Sequence, residues 1–484
     1  MSESNQHTVC IIGGGMSGLF TGALLAKNGY KVTILEKNHI IGGGLQSFRR
    51  GDAVFNTGLQ AFAGYEKDMI SYQFFKYLGI NQTLKILPTE SNAQEIFWFD
   101  KQRCFHLPKG KQAYTDYLIR HFPHEEKGIR QLMEIVFQIG HTFDYLFLNS
   151  IQRHEEHIPY AYMPAYELIR QYVEDERLIM LFSYIGGTTG HCLEKMPTLE
   201  FCMMLTLYVT GSHRFMGGSK QLVDALRNVI KSNEGEIVNN TNICKVIIEN
   251  RRVECVLSVG GKQWKADTYI WACSPQILVN IANDRVFRLS MEERVNTYVN
   301  PFSCYVVYCK MKEKAFSFIN SLVYIAKPNP YKNLPQAIFF VTQPTCENQE
   351  WAETMDIYIP TSYEEVSVWS DTTIEKRGKE YNDLKLRIAQ ENIKLIAKYY
   401  PEIEDAIETF YVGSPLTIRD YYGNPSGAVY GQHGLYTPIR TRVSNLFMTG
   451  QAIQNQGIAG IATVATLTAE TIMEQSLIDK IAKA

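Results

Sequence analysis

Gly13, Gly15 and Gly18 stand at the spacing G-x-G-x-x-G, and an acidic side chain, Glu36, follows about 20 residues later. That pattern can hold the two phosphates and a ribose of a dinucleotide. The first glycine permits a tight turn, the second lets the backbone approach a pyrophosphate, and the third lets helix and strand pack closely. A helix that starts at the turn offers free N–H groups and a partial positive charge to the phosphates. Glu36 stands where a carboxylate accepts hydrogen bonds from ribose hydroxyls, and its charge disfavours the 2′-phosphate of NADP. Ser17, inside the turn, and Lys37, beside the acid, belong to the same candidate set.

The glycines alone also fit an ordinary turn, so the elements around them decide. Residues 9–12 (VCII) form a continuous apolar run, as in a strand buried on both faces of a parallel sheet. Met16, Leu19, Phe20, Ala23 and Leu24 then recur at helical spacing. Asn28 and Gly29 break the helix, and residues 31–35 (KVTIL) read as a second strand ending at Glu36. Strand, glycine turn, helix, strand and acid in this order specify an α/β dinucleotide fold of Rossmann type.

A second glycine cluster, Gly42, Gly43 and Gly44, follows with Ser47 close behind, then residues 55–60 (FNTGLQ). A nicotinamide dehydrogenase has no evident need for it. Near the other end, residues 445–451 (NLFMTGQ) and 457–461 (GIAGI) repeat the order strand, glycine turn, helix start. That is a second site of dipole and amides, although a packed glycine-rich helix would look the same.

These blocks resemble the FAD-binding parts of amine-oxidase-type flavoproteins. Residues 414–422 (SPLTIRDYY) and 427–431 (GAVYG) narrow the resemblance to the phytoene desaturase (phytoene dehydrogenase-like), carotenoid isomerase and retinol saturase group. The resemblance implies that Gly42, Gly43 and Ser47 lie along the FAD pyrophosphate, and that Gly58 and Leu59 lie beside the flavin. It implies that the backbone near Ile243 meets the adenine, and that Gly450, Gln451, Gly460 and Ile461 meet the isoalloxazine end and the pyrophosphate. Residues 215–219 (FMGGS) resemble the turn leading back to the cofactor domain, and residues 266–272 (ADTYIWA) resemble a later strand of it. Asn56 departs from the pattern, which usually has Asp there.

The architecture implied is discontinuous. A Rossmann-type, glutathione-reductase-like FAD domain would be assembled from residues 1–80, 210–290 and 412–484, and a mixed α+β substrate domain from 81–209 and 291–411. A chain of 484 residues is long enough for two domains. Residues 85–209 read as largely helical, with Ile129, Leu132, Met133, Val136 and Ile139 at helical spacing. Residues 304–309 and 338–341 read as strands, and a helix is expected over 381–399. The charged stretch 375–385 reads as a solvated helix face.

The activity implied is that of an FAD-dependent oxidoreductase working on a carbon–carbon single or double bond of an apolar isoprenoid, carotenoid or retinoid-like polyene. Desaturation, saturation and isomerisation all remain open. The alternatives are a flavin amine or amino-acid oxidase and, outside enzymes, an escort for prenylated proteins resembling the GDP-dissociation inhibitors. Tyr430, His213 and Gln60 are the candidates for groups near the flavin ring. Tyr145, Tyr160, Tyr162, Tyr166, Tyr172, Tyr184 and Tyr208, with the apolar run 201–209, are candidates for the wall of a hydrocarbon chamber or for ordinary core. Only one complete dinucleotide motif is present, so electrons are expected to pass to or from a separate carrier, a quinone or dioxygen.

Composition excludes other classes. A formal charge of −2 and a pI near 6.6 give no footprint for nucleic acid. Ten cysteines without a C-x-x-C pair argue against a zinc site or dithiol motif, and fit reduced thiols in a cytoplasmic protein. His154, Glu155, Glu156 and His157 lack the H-E-x-x-H spacing, so no metal is expected, and no G-x-S-x-G elbow supports a hydrolase. No apolar run approaches the roughly 20 residues of a spanning helix, which leaves peripheral membrane contact as the expectation for a protein that handles membrane-soluble substrate.

Overall fold

Residues 9–12 lie, as their unbroken apolar character requires, at the centre of a parallel sheet. The computed structural model describes residues 6–148, 159–160, 163–298, 302–344, 349–430, 437–451, 453 and 456–484. His154, Glu155, Glu156, His157, Tyr162 and Gly431 lie outside the described residues.

The sheet has five parallel strands in the order Glu236–Val238, Lys31–Leu35, Thr8–Ile12, Thr268–Trp271, Leu446–Met448. Register aligns Ile11 with Ile34 on one side and with Ile270 on the other. The chain builds outward from Thr8–Ile12 first in one direction and then in the other. The order therefore reverses beside this strand, which makes its carboxyl end the place where a dinucleotide can lie across the sheet. The helix Met16–Lys27 follows the first strand and is buried from Ser17 to Ala26. It packs between Lys220–Ser232 and Gly457–Met473. Gly457–Met473 is rich in Ala and Thr, and two of its threonines are satisfied within the helix: Thr463 and Thr466 hydroxyls donate to Ala459 and Ala462 carbonyls at 3.0 and 2.9 Å.

A second sheet of seven strands runs Ile407–Gly413, Ser303–Met311, Ala352–Thr361, Ala337–Pro344, Leu322–Ala326, Glu95–Asp100, Arg103–Leu107. It is antiparallel except between Leu322–Ala326 and Glu95–Asp100. Strand periodicity splits its side chains between two cores. Cys304, Val306 and Tyr308 join the large core shared with the helices Glu126–Gly140 and Thr198–Thr210. Tyr305, Val307 and Cys309 join the core under the helix Gly378–Ala397.

Two expectations need correction. The described residues of 85–209 are largely helical from Lys111 onward, but before it come the strand Ile86–Pro88 and the hairpin Glu95–Asp100/Arg103–Leu107, which extends the second sheet. Its short alternating strands carry no helical period to contradict, so the pattern over 129–139 dominated the reading. The stretch 375–385 is not a solvated face throughout. Lys379 and Glu380 are exposed, but Arg377 is buried, paired with Asp420 and set over the Tyr381 ring. Of the two readings offered for the tyrosines between 145 and 184, ordinary core holds for those described: Tyr184 is fully buried, Tyr160, Tyr166 and Tyr172 pack against the same core, and the Tyr145 hydroxyl donates to Glu470 at 3.0 Å.

Candidate functional site

The first glycine turn has the backbone its motif demands. Gly13 adopts φ +111° and its N–H donates to the Leu35 carbonyl at 2.9 Å. A Cβ there would sit 2.6 Å from Cys273 Sγ. At Gly18 a Cβ would run into the Gly13 carbonyl oxygen, so this glycine serves the close packing of helix on turn. Gly15 is different: a Cβ would meet only Gly43 Cα, at 3.9 Å. Its open side faces a cavity.

That cavity has a volume of about 860 Å³ and spans from the carboxyl edge of the parallel sheet to the second sheet. Gly13, Gly15, Ser17, Glu36, Lys37, Gly43, Ser47, Gly58, Leu59, Ile243, Gln451 and Ile461 line it. The second glycine cluster packs directly on the first: Gly42 N–H donates to the Gly14 carbonyl at 2.7 Å, and Gly42 itself adopts φ +119°. Gly18, Gly42, Gly450 and Gly460 do not line the cavity but stand behind its wall.

Two helix starts converge on this space. Met16–Lys27 begins at Gly15 and Gly457–Met473 at Gln456, and no side chain caps either one. Both starts contribute lining residues, Met16 and Ser17 from one, Gly457 and Ile461 from the other. Their closeness is direct. A Cβ on Gly450, which adopts φ +95°, would lie 2.6 Å from Ser17 Cβ, and the hydroxyls of Thr21 and Thr449 share a hydrogen bond of 2.8 Å. Uncapped amides and two helix dipoles aimed at one cavity make an anion site. Glu36, 6% exposed, forms the adjoining wall. Its carboxylate oxygens accept from the Gly14 and Asn38 N–H groups, each at 2.8 Å, which fixes both oxygens while leaving lone pairs for a ribose.

The profile of the flavin-containing amine oxidoreductases matches residues 16–469. The chain belongs to that family. All-trans-retinol 13,14-reductase of Rattus norvegicus is 22% identical over 531 residues, covering 96% of this chain and 86% of that one. Prolycopene isomerase 1 of an Oncidium hybrid cultivar is 22% identical over 526 residues, covering 99% and 86%. Among solved structures, wild-type putrescine oxidase bound to putrescine has a TM-score of 0.63 at 15% identity, covering 97% of this chain and 99% of that one. The chain is thus an FAD-dependent oxidoreductase of the Rossmann-type α/β fold.

The residues fit FAD. The paired glycine turns form a cradle that side chains would fill, the two helix starts suit a pyrophosphate, and Glu36 suits a ribose. The departure at Asn56 is also accounted for. Its side-chain oxygen accepts from the Ser47 hydroxyl at 3.1 Å and from the Ser219 N–H at 3.4 Å. Both bonds need an acceptor and neither needs a charge, so Asn serves where Asp is usual. Lys37 is committed to the protein, its ammonium donating to the Asp420 carbonyl at 2.9 Å.

The far end of the cavity is aromatic and apolar. Met204 and Tyr208, one turn apart on Thr198–Thr210, line it, as do Val306, Tyr308, Tyr358, Tyr411 and Tyr430, while Tyr422 lines the wall over Gly44 and Gly58. Several hydroxyls are tied to backbone: Tyr308 and Tyr422 donate to the Thr57 carbonyl at 3.4 and 3.1 Å, and Tyr430 to the Gly187 carbonyl at 3.1 Å. Burial pushes Tyr422 up to about 12 and raises Tyr430 further, so both stay protonated.

Of the three candidates for groups near the ring, Tyr430 alone lines the cavity. His213 does not. It lies in the buried strand Ser212–Phe215, its ring 5.2 Å from Tyr65 and 6.0 Å from Phe62, and burial pushes it down to about 4. Gln60 is buried behind the wall and donates to Tyr358 and Asp356. Tyr358 and Asp356 went unrecognised in the sequence. The available signal was an acid inside the apolar strand sequence AETMDIYIPT.

Proposed function

We propose that this flavoprotein adds, removes or rearranges hydrogen at a carbon–carbon bond of an apolar isoprenoid, carotenoid or retinoid-like polyene. The observation that carries the reading is the chamber itself. Among the described residues lining the cavity, Glu36 is the one carboxylate, and it belongs to the glycine-turn end. The aromatic end offers hydrocarbon a dry wall and offers an ammonium no counter-charge. The relatives that cover nearly the whole chain, a retinol reductase and a prolycopene isomerase, support the same reading.

FAD supplies hydride transfer at flavin N5. The chain supplies the rest. The glycine turns, the helix starts and Glu36 hold the cofactor, with Ser47, Gly58, Leu59, Ile243 and Gln451 as its further contacts. The tyrosine and aliphatic wall orients the chain of the substrate and excludes water. A separate carrier, a quinone or dioxygen exchanges electrons with the cofactor.

Substrate of this kind starts in a membrane. Burying about 500 Å² of polyene from water contributes on the order of 12 kcal/mol, but moving it from lipid gains little, because its hydrocarbon is already dry. Peripheral docking on a bilayer therefore belongs to the proposal. No helix among the described residues is long and apolar enough to cross a membrane.

The test is anaerobic. All-trans-retinol and prolycopene are each mixed with the oxidised and with the dithionite-reduced yellow protein. Bleaching of the oxidised form marks desaturation or oxidation, reoxidation of the reduced form marks saturation, and double-bond rearrangement without net flavin change marks isomerisation. Peroxide release with simple amines and silence toward both polyenes would transfer the assignment to amine oxidation.

A further inference from the structure

The strand Ala352–Thr361 carries a polar pair into an apolar layer. Met355, Ile357 and Ile359 turn toward the core under Gly378–Ala397, while Asp356 and Tyr358, two residues apart, share the opposite face. Asp356 is 1% exposed and Tyr358 6%. Gln60 joins them. Its amide nitrogen donates to Asp356 Oδ2 at 2.8 Å and to the Tyr358 hydroxyl at 2.6 Å, and its oxygen accepts from Gln343 Nε2 at 3.1 Å. With the Gln60 amide in this orientation, both hydrogens of its nitrogen are engaged, one on each partner.

This sets Tyr358 apart from the other tied tyrosines of the chamber. Tyr308, Tyr422 and Tyr430 hydroxyls give their protons to carbonyls. The Tyr358 hydroxyl receives one from Gln60, and among the described residues its own proton has no acceptor. The ring forms part of the cavity wall and is held flat against Phe339, centroids 4.6 Å apart at an interplanar angle of 5°. Gln60 itself ends the segment 55–60 whose middle, Gly58 and Leu59, lines the same cavity. A rigid hydroxyl with an uncommitted proton, steadied from behind by an amide N–H, is the arrangement a proton donor requires.

The geometry points to Tyr358 as the group that delivers a proton to the substrate, with Gln60 and Asp356 as the residues that position it. The assignment rests on the polyene reading above. In saturation the π bond of the alkene breaks and two C–H bonds form. One carbon takes the hydride, with both electrons, from reduced FAD, which is oxidised. The other takes the Tyr358 hydroxyl proton. The phenolate left behind is held by the Gln60 N–H until water returns a proton as product leaves.

Asp356 is surrounded by Gln60, by Arg214 from Ser212–Phe215, and by Tyr308 and Cys309 from Ser303–Met311. Burial raises it to about 8, against the opposing pull of the Gln60 bond and the Arg214 charge. Neutral Asp356 leaves room for negative charge to develop on Tyr358 two residues away.

Two measurements test this. The first needs no turnover. In FAD-loaded protein labelled with 13Cζ-tyrosine, the resonance missing from Tyr358→Phe identifies Tyr358. Its shift is expected to follow Asp356 through about pH 8, and to lose that response in Asp356→Asn and in Gln60→Leu. A signal that ignores pH, or that still responds in Asp356→Asn, overturns the network. The second mixes dithionite-reduced protein anaerobically with all-trans-retinol and with prolycopene. Tyr358→Phe is expected to keep its FAD and its affinity for the polyene, and to reoxidise about 100-fold more slowly than wild type. Equal rates overturn the donor role alone. A wild type inert to both polyenes overturns the substrate reading and the donor role together, so the two failures are told apart.

Discussion

Gly18→Ala isolates the geometry on which cofactor binding depends. Gly18 lies buried in the first turn of Met16–Lys27, in ordinary helical backbone, where Ala is intrinsically favoured over Gly by about 1 kcal/mol. Against this, the new Cβ would fall 3.2 Å from the Gly13 carbonyl carbon and roughly 1 Å inside normal contact with its oxygen. These neighbours are backbone, and Gly13 is pinned by its 2.9 Å bond to Leu35 and its φ of +111°. Overpacking of this kind costs about 1–3 kcal/mol, and the fixed partner places the cost at the upper end, for a net loss of about 1–2 kcal/mol. The helix can relieve the clash only by sliding away from the turn, which moves its free amides relative to the phosphates. Losing one hydrogen bond to a charged oxygen, about 1.5–3 kcal/mol, raises the FAD dissociation constant roughly 10- to 100-fold. Gly22→Ala is the control. One turn later in the same helix, its Cβ would meet the mobile ends of Ile34 and Ile11 at 2.9 and 3.3 Å, which can yield. Flavin fluorescence titration of both apoproteins, with thermal melts, reads the contrast. FAD affinity undiminished in Gly18→Ala, or lost equally in Gly22→Ala, refutes the reasoning.

Glu36→Ala strands the Gly14 and Asn38 amides and removes the ribose acceptor, so FAD is expected to bind at least about 10-fold more weakly, by the same titration. Tyr430→Phe loses its bond to the Gly187 carbonyl; stability should fall by about 1 kcal/mol in urea melts while polyene turnover stays within about threefold, and a collapse of turnover would restore Tyr430 as the proton donor. Burial lifts Glu95 from 4.5 to about 8, so the folded chain keeps a proton that the unfolded chain releases. Its favourable contribution is therefore complete below about pH 4.5 and is lost as pH rises to 8. Glu95→Gln should remove that loss, gaining on the order of 4 kcal/mol relative to wild type between the two limits, and a pH-independent difference in urea melts would contradict this.

The cofactor end was legible in the sequence because its determinants are local. Gly13, Gly15 and Gly18 owe their identities to a single turn and the helix that leaves it, and Glu36 to the end of the next strand. Helical periodicity likewise revealed the helix Glu126–Gly140, and a run of strand-favouring residues revealed the strand Ser303–Met311. The chamber end was not legible, because its determinants are relations between distant strands. Gln60 meets Asp356 and Tyr358 across 296 and 298 residues, and no local period marks which glutamine will find which acid. His213 shows the same limit. A histidine beside a family block looks chemical, yet the pairing of Ser212–Phe215 with Phe62–Ala63 turns it into packing between Phe62 and Tyr65.

The strand order also makes cofactor binding a report on the completed fold. The cavity wall draws on residues 12–61 and 449–461 at once, and the last strand, Leu446–Met448, reaches it only by pairing with Thr268–Trp271. Once docked, Thr449 takes hydrogen bonds with Thr21 and Thr468 at 2.8 and 3.3 Å, which tie the helix Gly457–Met473 to the helix Met16–Lys27. A chain that has made the first glycine turn but not this closure has one helix start facing open water. It lacks the second dipole and one side of the pocket. FAD therefore binds the closed chain in preference to any partly folded form, and stabilises it by RT ln(1 + [FAD]/Kd), about 2.7 kcal/mol at a hundredfold excess over Kd. The small side chains at the meeting of the two ends, Gly450 against Ser17 and Thr449 against Thr21, are what allow that closure to be tight.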